Sequence, residues 1–200
     1  MKQDARALVW TDVDSAEAEL IRRCLEGEEY ACAELVAQHQ AMVQQLAFTL
    51  LGDHSEALDV SQDVFLRVFR TLDRFRGQST LRTWIYRIVV NQARNRQRWW
   101  YRRGRAQQVS LDEHVERYGE LPGRRTVSPD QVLGRKEQVV RIWEALERLP
   151  FDQKTAIVLR EVEGLSYQEI AFSVGAVIGT VKSRLARARR TLRHDLRNER

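Results

Sequence analysis

Residues 166–190 read SYQEIAFSVGAVIGTVKSRLARARR. Ser166 followed three residues later by Glu169 is a capping box, a hydroxyl and a carboxylate that satisfy free backbone N–H groups where a helix starts. Ile170, Ala171 and Val174 give that helix a short apolar face, and Gly175 ends it where a left-handed backbone is needed. After a brief apolar turn, Thr180 is placed to cap a second helix. Val181, Leu185 and Ala188 form its inner stripe at helical spacing, while Lys182, Ser183, Arg184, Arg187 and Arg190 point elsewhere. Two short helices about a glycine turn, the second carrying cations on its outer side, form the pattern of a DNA-binding helix-turn-helix. A surface helix with a solvated basic face is the plainer alternative. It leaves the coincidence of capping, turn and charge signals without a reason.

The chain has 200 residues, room for one large or two small domains, and 43% of them are hydrophobic, enough for a packed core. No apolar run approaches the roughly eighteen residues a membrane span needs. The N-terminal stretch is acidic and lacks the apolar segment of a secretory signal, so the expected compartment is the cytoplasm, without membrane insertion. Cys24 and Cys32 fall in a helical stretch; on an unbroken helix they would stand about 12 Å apart along the axis, beyond disulfide reach. They read as small reduced core side chains, unless Gly27 breaks the helix between them. The net charge of +5 conceals segregation: −9 over residues 1–63, +11 over 64–111, −3 over 112–170 and +6 over 171–200. Two basic blocks alternating with two acidic ones imply two separate polyanion contacts, each beside a region that avoids nucleic acid or meets a basic protein surface.

Taken in order, the periodicity is helical throughout and no strand is expected. A first helix runs from Asp14 to near Gly27, and a second, with Leu35, Val43, Leu46, Ala47 and Leu50 on its apolar face, ends at Gly52. Asp53 and Glu56 are spaced to open a third that continues to about Leu72. Residues 74–80 form a loop, with Ser79 or Thr80 capping a fourth helix whose inner face is Leu81, Trp84, Ile85, Ile88 and Val89. Residues 104–130 hold two of the three prolines and little periodicity, and read as a linker with a short helical piece near Asp112–Tyr118. Ser128-Pro129-Asp130 opens the next helix, Leu149-Pro150 closes it, another ends at Gly164, and the helix-turn-helix follows. The fold class is all-α: two small helical domains joined by a flexible linker.

Two faces carry chemistry. On the third helix, Asp59, Gln62, Asp63 and Leu66 share a stripe that is either an ordinary solvated surface or a docking face whose carboxylates meet a partner's arginines. On the fourth, Arg87, Asn91, Arg94, Asn95 and Arg98 lie along one side, within a stretch free of acids from Arg74 to Leu111. Asparagine amides read base edges, and guanidinium groups hold phosphates and stack on bases. Phe75, Tyr86, Trp99, Trp100 and Tyr101 stand nearby, the interleaving of aromatics and cations that an unstacked single strand requires.

These residues resemble a known family. EALDVSQDVFLRVF (56–69), FRGQSTLRTWIYRIVVN (75–91), and LERLP (146–150), EGLSYQEIA (163–171) and GTVKSRL (179–185) resemble, in order, regions 2.2, 2.3–2.4 and 4 of extracytoplasmic function (group IV) sigma factors. The family consists of subunits that direct bacterial RNA polymerase to promoters. The resemblance covers about residues 20–195 and implies a region 2 bundle over 15–103, a linker over 104–129 and a region 4 four-helix domain over 130–197, after an N-terminal extension over 1–14. It further implies that Asp59, Gln62, Asp63 and Phe65 dock on core polymerase. Phe75, Arg76, Gly77, Gln78, Ser79 and Thr80 would take a flipped base of the −10 element, with Arg87, Asn91, Arg94, Asn95 and Arg98 assisting. Ser166, Thr180, Lys182, Ser183, Arg184, Arg187 and Arg190 would meet the −35 element. The implied partners are core RNA polymerase and promoter DNA, and an anti-sigma factor, where one exists, would use the same faces. Ala176-Val177-Ile178 stands where the family often has Ile-Pro, and Asn95 where an acid is common.

Neither a cofactor nor a metal site is expected. No phosphate-binding glycine loop is present, so strand separation would run on binding energy. A helix-turn-helix repressor or activator with a helical sensor domain is the rival in the regulatory class, and it does not account for the acid-free stretch. A helical enzyme is the rival outside it; His39, His54, His114 and His194 are scattered and no catalytic spacing is found.

Overall fold

Capping side chains and chain-breaking glycines divide the protein into eight α-helices among the described residues of the computed structural model, 15–103 and 129–198, with no strand among them. The first group comprises α1 (Ser15–Leu25), α2 (Glu29–Leu51), α3 (His54–Thr71) and α4 (Leu81–Arg102), with a single 3-10 turn at Leu72–Arg74. The second comprises α5 (Pro129–Glu147), α6 (Phe151–Glu161), α7 (Tyr167–Val174) and α8 (Ile178–Asn198). The expected N-terminal extension and most of the expected linker, including its helical piece near Asp112–Tyr118, lie outside the described residues.

Local chemistry explains the boundaries. Asp53 Oδ1 accepts from the Glu56 N–H at 2.9 Å and starts α3, and Thr80 Oγ1 accepts from the Thr83 N–H at 3.2 Å and starts α4. Each satisfies one of the N–H groups that a helix start leaves unpaired. At the end of α1, Gly27 takes φ +85°, a left-handed angle that costs glycine nothing. The chain folds back there, so Cys32 Sγ lies 3.7 Å from the Cys24 carbonyl oxygen, and the axial separation expected of one continuous helix does not apply. Both thiols are free, and burial together with the neighbouring Cys32 pushes the Cys24 thiol up to about 12, leaving it a small core side chain.

In the first group α2 packs on α1, α3 and α4, and α3 packs on α4. In the second, α8 packs across α5, α6 and α7. The groups also pack on each other, α4 against α7 and α2 against α6, and their buried side chains form one continuous core. Because α4 has neighbours on opposite sides, its buried surface is wider than a single amphipathic stripe. Tyr86, Val90 and Ala93 are fully enclosed along with Ile85 and Val89, whereas Trp84, expected inside, is half-buried and packs against the core from its edge.

Candidate nucleic-acid interface

The outward face of α3 presents Asp59, Gln62 and Asp63, all exposed. Phe65 does not join them: at 9% exposure it points into the core with Val64 and Val68, as its position one step round the helix dictates. In its place the surface carries Leu58, Leu66 and Phe69, the second of them 54% exposed. The sequence signal for Leu58 and Phe69 was their spacing from Leu66 across the acidic stripe. The face is therefore mixed, carboxylates beside apolar side chains, and suits a protein partner better than bulk water. Behind it, Glu56 takes Arg96 at 2.8 Å and the Trp100 indole N–H at 3.3 Å, which pins the end of α4 onto the start of α3. Trp100 is thereby a core residue. Trp99 is half-buried beneath the Arg103 guanidinium, 4.3 Å above its ring, and Tyr101 is exposed.

The loop at residues 75–80 is anchored from below. Phe75 is 2% exposed and tilts against Trp84 with ring centroids 5.4 Å apart, so its ring supports the loop and is not offered on the surface. Arg76 donates to the Asp73 carbonyl at 2.9 Å, and Gly77 is buried. Arg76, Gln78 and Thr80 form the exposed rim, with Ser79 half-buried between the last two. Along α4, Asn91, Asn95 and Arg98 are open to solvent. Two members of the same stripe are engaged by the second helical group: the Arg87 guanidinium lies 5.0 Å over the Phe172 ring, and Arg94 lies 5.7 Å over Phe151 while its Nη2 meets Asp152 Oδ1 at 2.9 Å. Tyr86, expected among the aromatics offered to a strand, is enclosed and donates its hydroxyl to Glu163. Burial first, and then that carboxylate, raise its phenol above the ordinary tyrosine value.

The helix-turn-helix forms as its sequence directs. Ser166 Oγ accepts from the Glu169 N–H at 3.3 Å, and Glu169 Oε2 accepts from the Ser166 N–H at 2.8 Å and from its hydroxyl at 2.7 Å. The Ser166 hydroxyl, followed by its backbone N–H, holds the Glu169 carboxyl below the usual range. At the turn Gly175 takes φ +64° and ψ +42°, and its N–H bonds back to the end of α7. The following helix starts earlier than Thr180: the Val177 carbonyl already accepts from the Val181 N–H at 3.2 Å. Thr180 thus sits inside the first turn and Val177 holds the capping position, because the apolar turn is too short to delay the helix. Val181, Leu185 and Ala188 are buried as expected. Lys182, Ser183, Arg187 and Arg190 are exposed, Thr180 is half-buried, and Arg184 turns aside to meet Asp152 Oδ2 at 2.6 Å. Ser166, occupied in its capping box, is half-buried at the opposite end of the motif.

No helix among the described residues is long and apolar enough to cross a membrane, and none of their His, Cys, Asp and Glu side chains form a group of three or more that could hold a metal ion. What they do form is one mixed acidic–apolar face and two basic faces on separate helices.

Two family models match the chain, one on each helical group. The family model described as Sigma-70 region 2 matches residues 35–105, and Sigma-70, region 4 matches residues 140–192. The RNA polymerase sigma-H factor of Pseudomonas aeruginosa is 34% identical over 174 residues, 87% of this chain and 90% of that protein. The ECF RNA polymerase sigma-E factor of Escherichia coli K12 is 35% identical over 175 residues, 86% of this chain and 90% of its own length. Among solved structures, the sigma factor RpoE in complex with the anti-sigma factor NepR from Bartonella quintana superposes with a TM-score of 0.59 at 26% identity, covering 84% of this chain and 98% of that one. CnrH in complex with the cytosolic domain of CnrY has a TM-score of 0.65 at 24% identity over 93% of this chain and 100% of that one, a likeness of fold.

Proposed function

The chain belongs to the sigma-70 family, in its extracytoplasmic function class, and from that premise we propose how its faces divide the work of directing RNA polymerase to promoters. The mixed face of α3, with Asp59, Gln62 and Asp63 beside Leu58, Leu66 and Phe69, docks on core polymerase. The carboxylates steer encounter with a basic surface, and the apolar side chains hold the docked state. The rim of the 75–80 loop, with Asn91, Asn95 and Arg98 of α4, takes the −10 strand as it unpairs, Phe75 acting as the strut beneath. Lys182, Ser183, Arg187 and Arg190, together with Thr180 and Arg184, face the −35 duplex, where cations supply phosphate affinity and a few side chains read base edges. The protein does no chemistry of its own. Holding an unstacked base offsets a few kcal/mol of unpairing, the order of magnitude of base flipping in general.

The observation that carries this reading is the exposed acidic–apolar face of α3, which neither the core nor DNA binding requires. A helix-turn-helix repressor has no use for it. RpoE, among the relatives of known structure, is held by an anti-sigma factor; a comparable inhibitor of this chain would compete for the same α3 and α4 surfaces in the cytoplasm. The test is the double substitution Asp59→Lys and Asp63→Lys; both side chains are exposed, and Arg96, 4.0 Å from Asp63, has its closer partner in Glu56 at 2.8 Å. The folded variant is expected to lose capture by core polymerase and run-off transcription together. Capture and initiation equal to the parent's would remove the basis of the assignment.

A further inference from the structure

The start of α8 goes against two local preferences, and the chain gains from neither. Val177 holds the capping position, where a side-chain oxygen would satisfy a free N–H group, and valine has none to offer. Gly179, in the first turn, takes no left-handed angle, so its place in the helix costs stability without easing the backbone. Nor does packing call for it: a Cβ added at Gly179 would meet nothing within 4 Å beyond its own helix turn. Where a sequence sets local preference aside without an internal return, something outside the chain governs the choice.

Exposure points the same way. Val177 is 73% exposed and Ile178 39%, an adjacent apolar pair facing water, while Ala176 just before them packs against the core. The Val177 carbonyl accepts from the Thr180 N–H at 2.9 Å and from the Val181 N–H at 3.2 Å, so the pair stands on backbone that the helix already fixes. At helical spacing from Gly179, on the side away from buried Val181, follow Lys182, Ser183, Ala186 and Arg190, all exposed. That side combines small side chains, which let the helix come close to a surface, with cations that hold phosphates. In a helix seated in the major groove, the N-terminal residues are the ones that reach base edges. Among those edges thymine alone presents a methyl group, the feature an aliphatic side chain can recognise.

We infer that Val177 and Ile178 read thymine in the −35 element through its 5-methyl group, and that Gly179 gives the clearance that lets them reach it. The inference rests on the assignment of α8 to the −35 duplex and adds an apolar contact to its cations and hydroxyls. It separates two kinds of work on one helix. Lys182 and Arg187 supply affinity that falls with salt, whereas the methyl contact supplies discrimination that does not depend on counterions.

The test uses holoenzyme reconstituted with the full chain and a promoter duplex taken from a start site mapped by run-off transcription. Each thymine of the −35 element, on either strand, is replaced in turn by deoxyuridine, which pairs alike and lacks only the methyl group. The parent holoenzyme is expected to bind about fourfold more weakly when one position, or either of two adjacent ones, is replaced, the worth of one buried methyl group. With Val177→Ala and Ile178→Ala together, folding checked by circular dichroism, thymine and deoxyuridine should be bound alike there. Gly179→Ala should raise the melting temperature of the free chain by about 2 °C and weaken promoter binding about tenfold, its new methyl group filling the clearance. An element without thymine, a parent indifferent to every replacement, discrimination that survives the double variant, or Gly179→Ala binding as the parent does would each overturn the inference. A double variant that loses capture by core polymerase overturns it too and assigns the apolar pair to that protein. Lys182→Ala with Arg187→Ala keeps the two claims apart. If that holoenzyme binds the promoter as the parent does, the assignment of α8 fails and the methyl contact falls with it. If it binds more weakly while the parent ignores deoxyuridine, the methyl contact alone fails.

Discussion

Replacing Lys154 with methionine should cost the folded protein about 3 kcal/mol, and replacing its partner as well should recover most of that. Lys154 is 3% exposed, its ammonium 2.5 Å from Glu147 Oε1, and it donates at 3.3 Å to the Leu50 carbonyl across the seam between the two helical groups. Leu50 lies in the last turn of α2, where carbonyls lack intrahelical partners and a cation is favoured by the helix dipole. Methionine fills the lysine stem but leaves Glu147 without its cation, and breaking a buried pair from one side costs about 3–5 kcal/mol. Loss of the donor to Leu50 adds about 1 kcal/mol or more. Against this stands the desolvation of the ammonium, which holds Lys154 below its ordinary value and which methionine avoids. The net is about 3 kcal/mol. In the double variant Lys154→Met with Glu147→Leu no charge is left unpaired, and the loss should fall to about 1 kcal/mol. Urea unfolding followed by circular dichroism measures both, read as a midpoint shift at constant slope. The pH dependence has a definite sign: between the depressed folded value and 10.5 the unfolded chain binds more protons, so this group's contribution to stability rises with pH through that window. Lys154→Met should lack that rise. A single variant within about 0.5 kcal/mol of the parent, or a double variant worse than the single, would refute the reasoning.

Two other predictions test the motifs. Glu169 is held below the ordinary carboxylate value of 4.5 chiefly by the Ser166 hydroxyl and then by its backbone N–H, so its stabilising contribution is present above that value and is lost as pH falls through the folded one. Glu169→Gln should flatten the acid limb of a thermal-melting series below about pH 4.5, and an unchanged limb would count against the capping box as its source. Phe75→Ala should destabilise by about 3–5 kcal/mol because the ring is enclosed, and Phe75→Leu by much less. Promoter opening, followed by permanganate reactivity of the melted strand, should survive in Phe75→Leu; its loss from a stable variant would mean that the ring itself touches the base.

Where one helix can be read by itself, the sequence is a sufficient guide. Ser166 with Glu169, Gly175, Gly52 and Thr80 start or stop helices through groups at most a few residues away, and each does so in the structure. The errors have a shared cause. Thr180 was expected to cap α8, but a hydroxyl three residues into a helix resembles a cap whenever the preceding turn is apolar and carries no other polar candidate. Phe65 lies one position from a surface stripe, and motif resemblance does not resolve which side of that boundary a side chain takes. Cys24 and Cys32 are free as expected, but their separation depended on whether Gly27 bends the chain, a property of two helices and not of one. Asp152, Glu163 and Lys154 gave no periodic signal at all, since their partners lie 58, 77 and 104 residues away.

The exchange between Trp84 and Tyr86 shows what spacing cannot supply. A stripe predicts the buried side of a helix with one neighbour, and α4 has neighbours on opposite sides. On its second side the apolar contact is rimmed by cations: Arg82 and Arg94 meet the carboxylates of Glu163 and Asp152, and Arg87 lies over the Phe172 ring. Apolar side chains in those positions would bury more surface between the halves but offer nothing to a phosphate backbone. Cations serve either arrangement, because a carboxylate and a phosphate present the same acceptor to a guanidinium. Alternating acidic and basic blocks along the chain therefore have a reason beyond DNA affinity. The acids around residues 152–169 give the basic helix an internal counter-charge, held by the same guanidinium N–H donors that a phosphate would take.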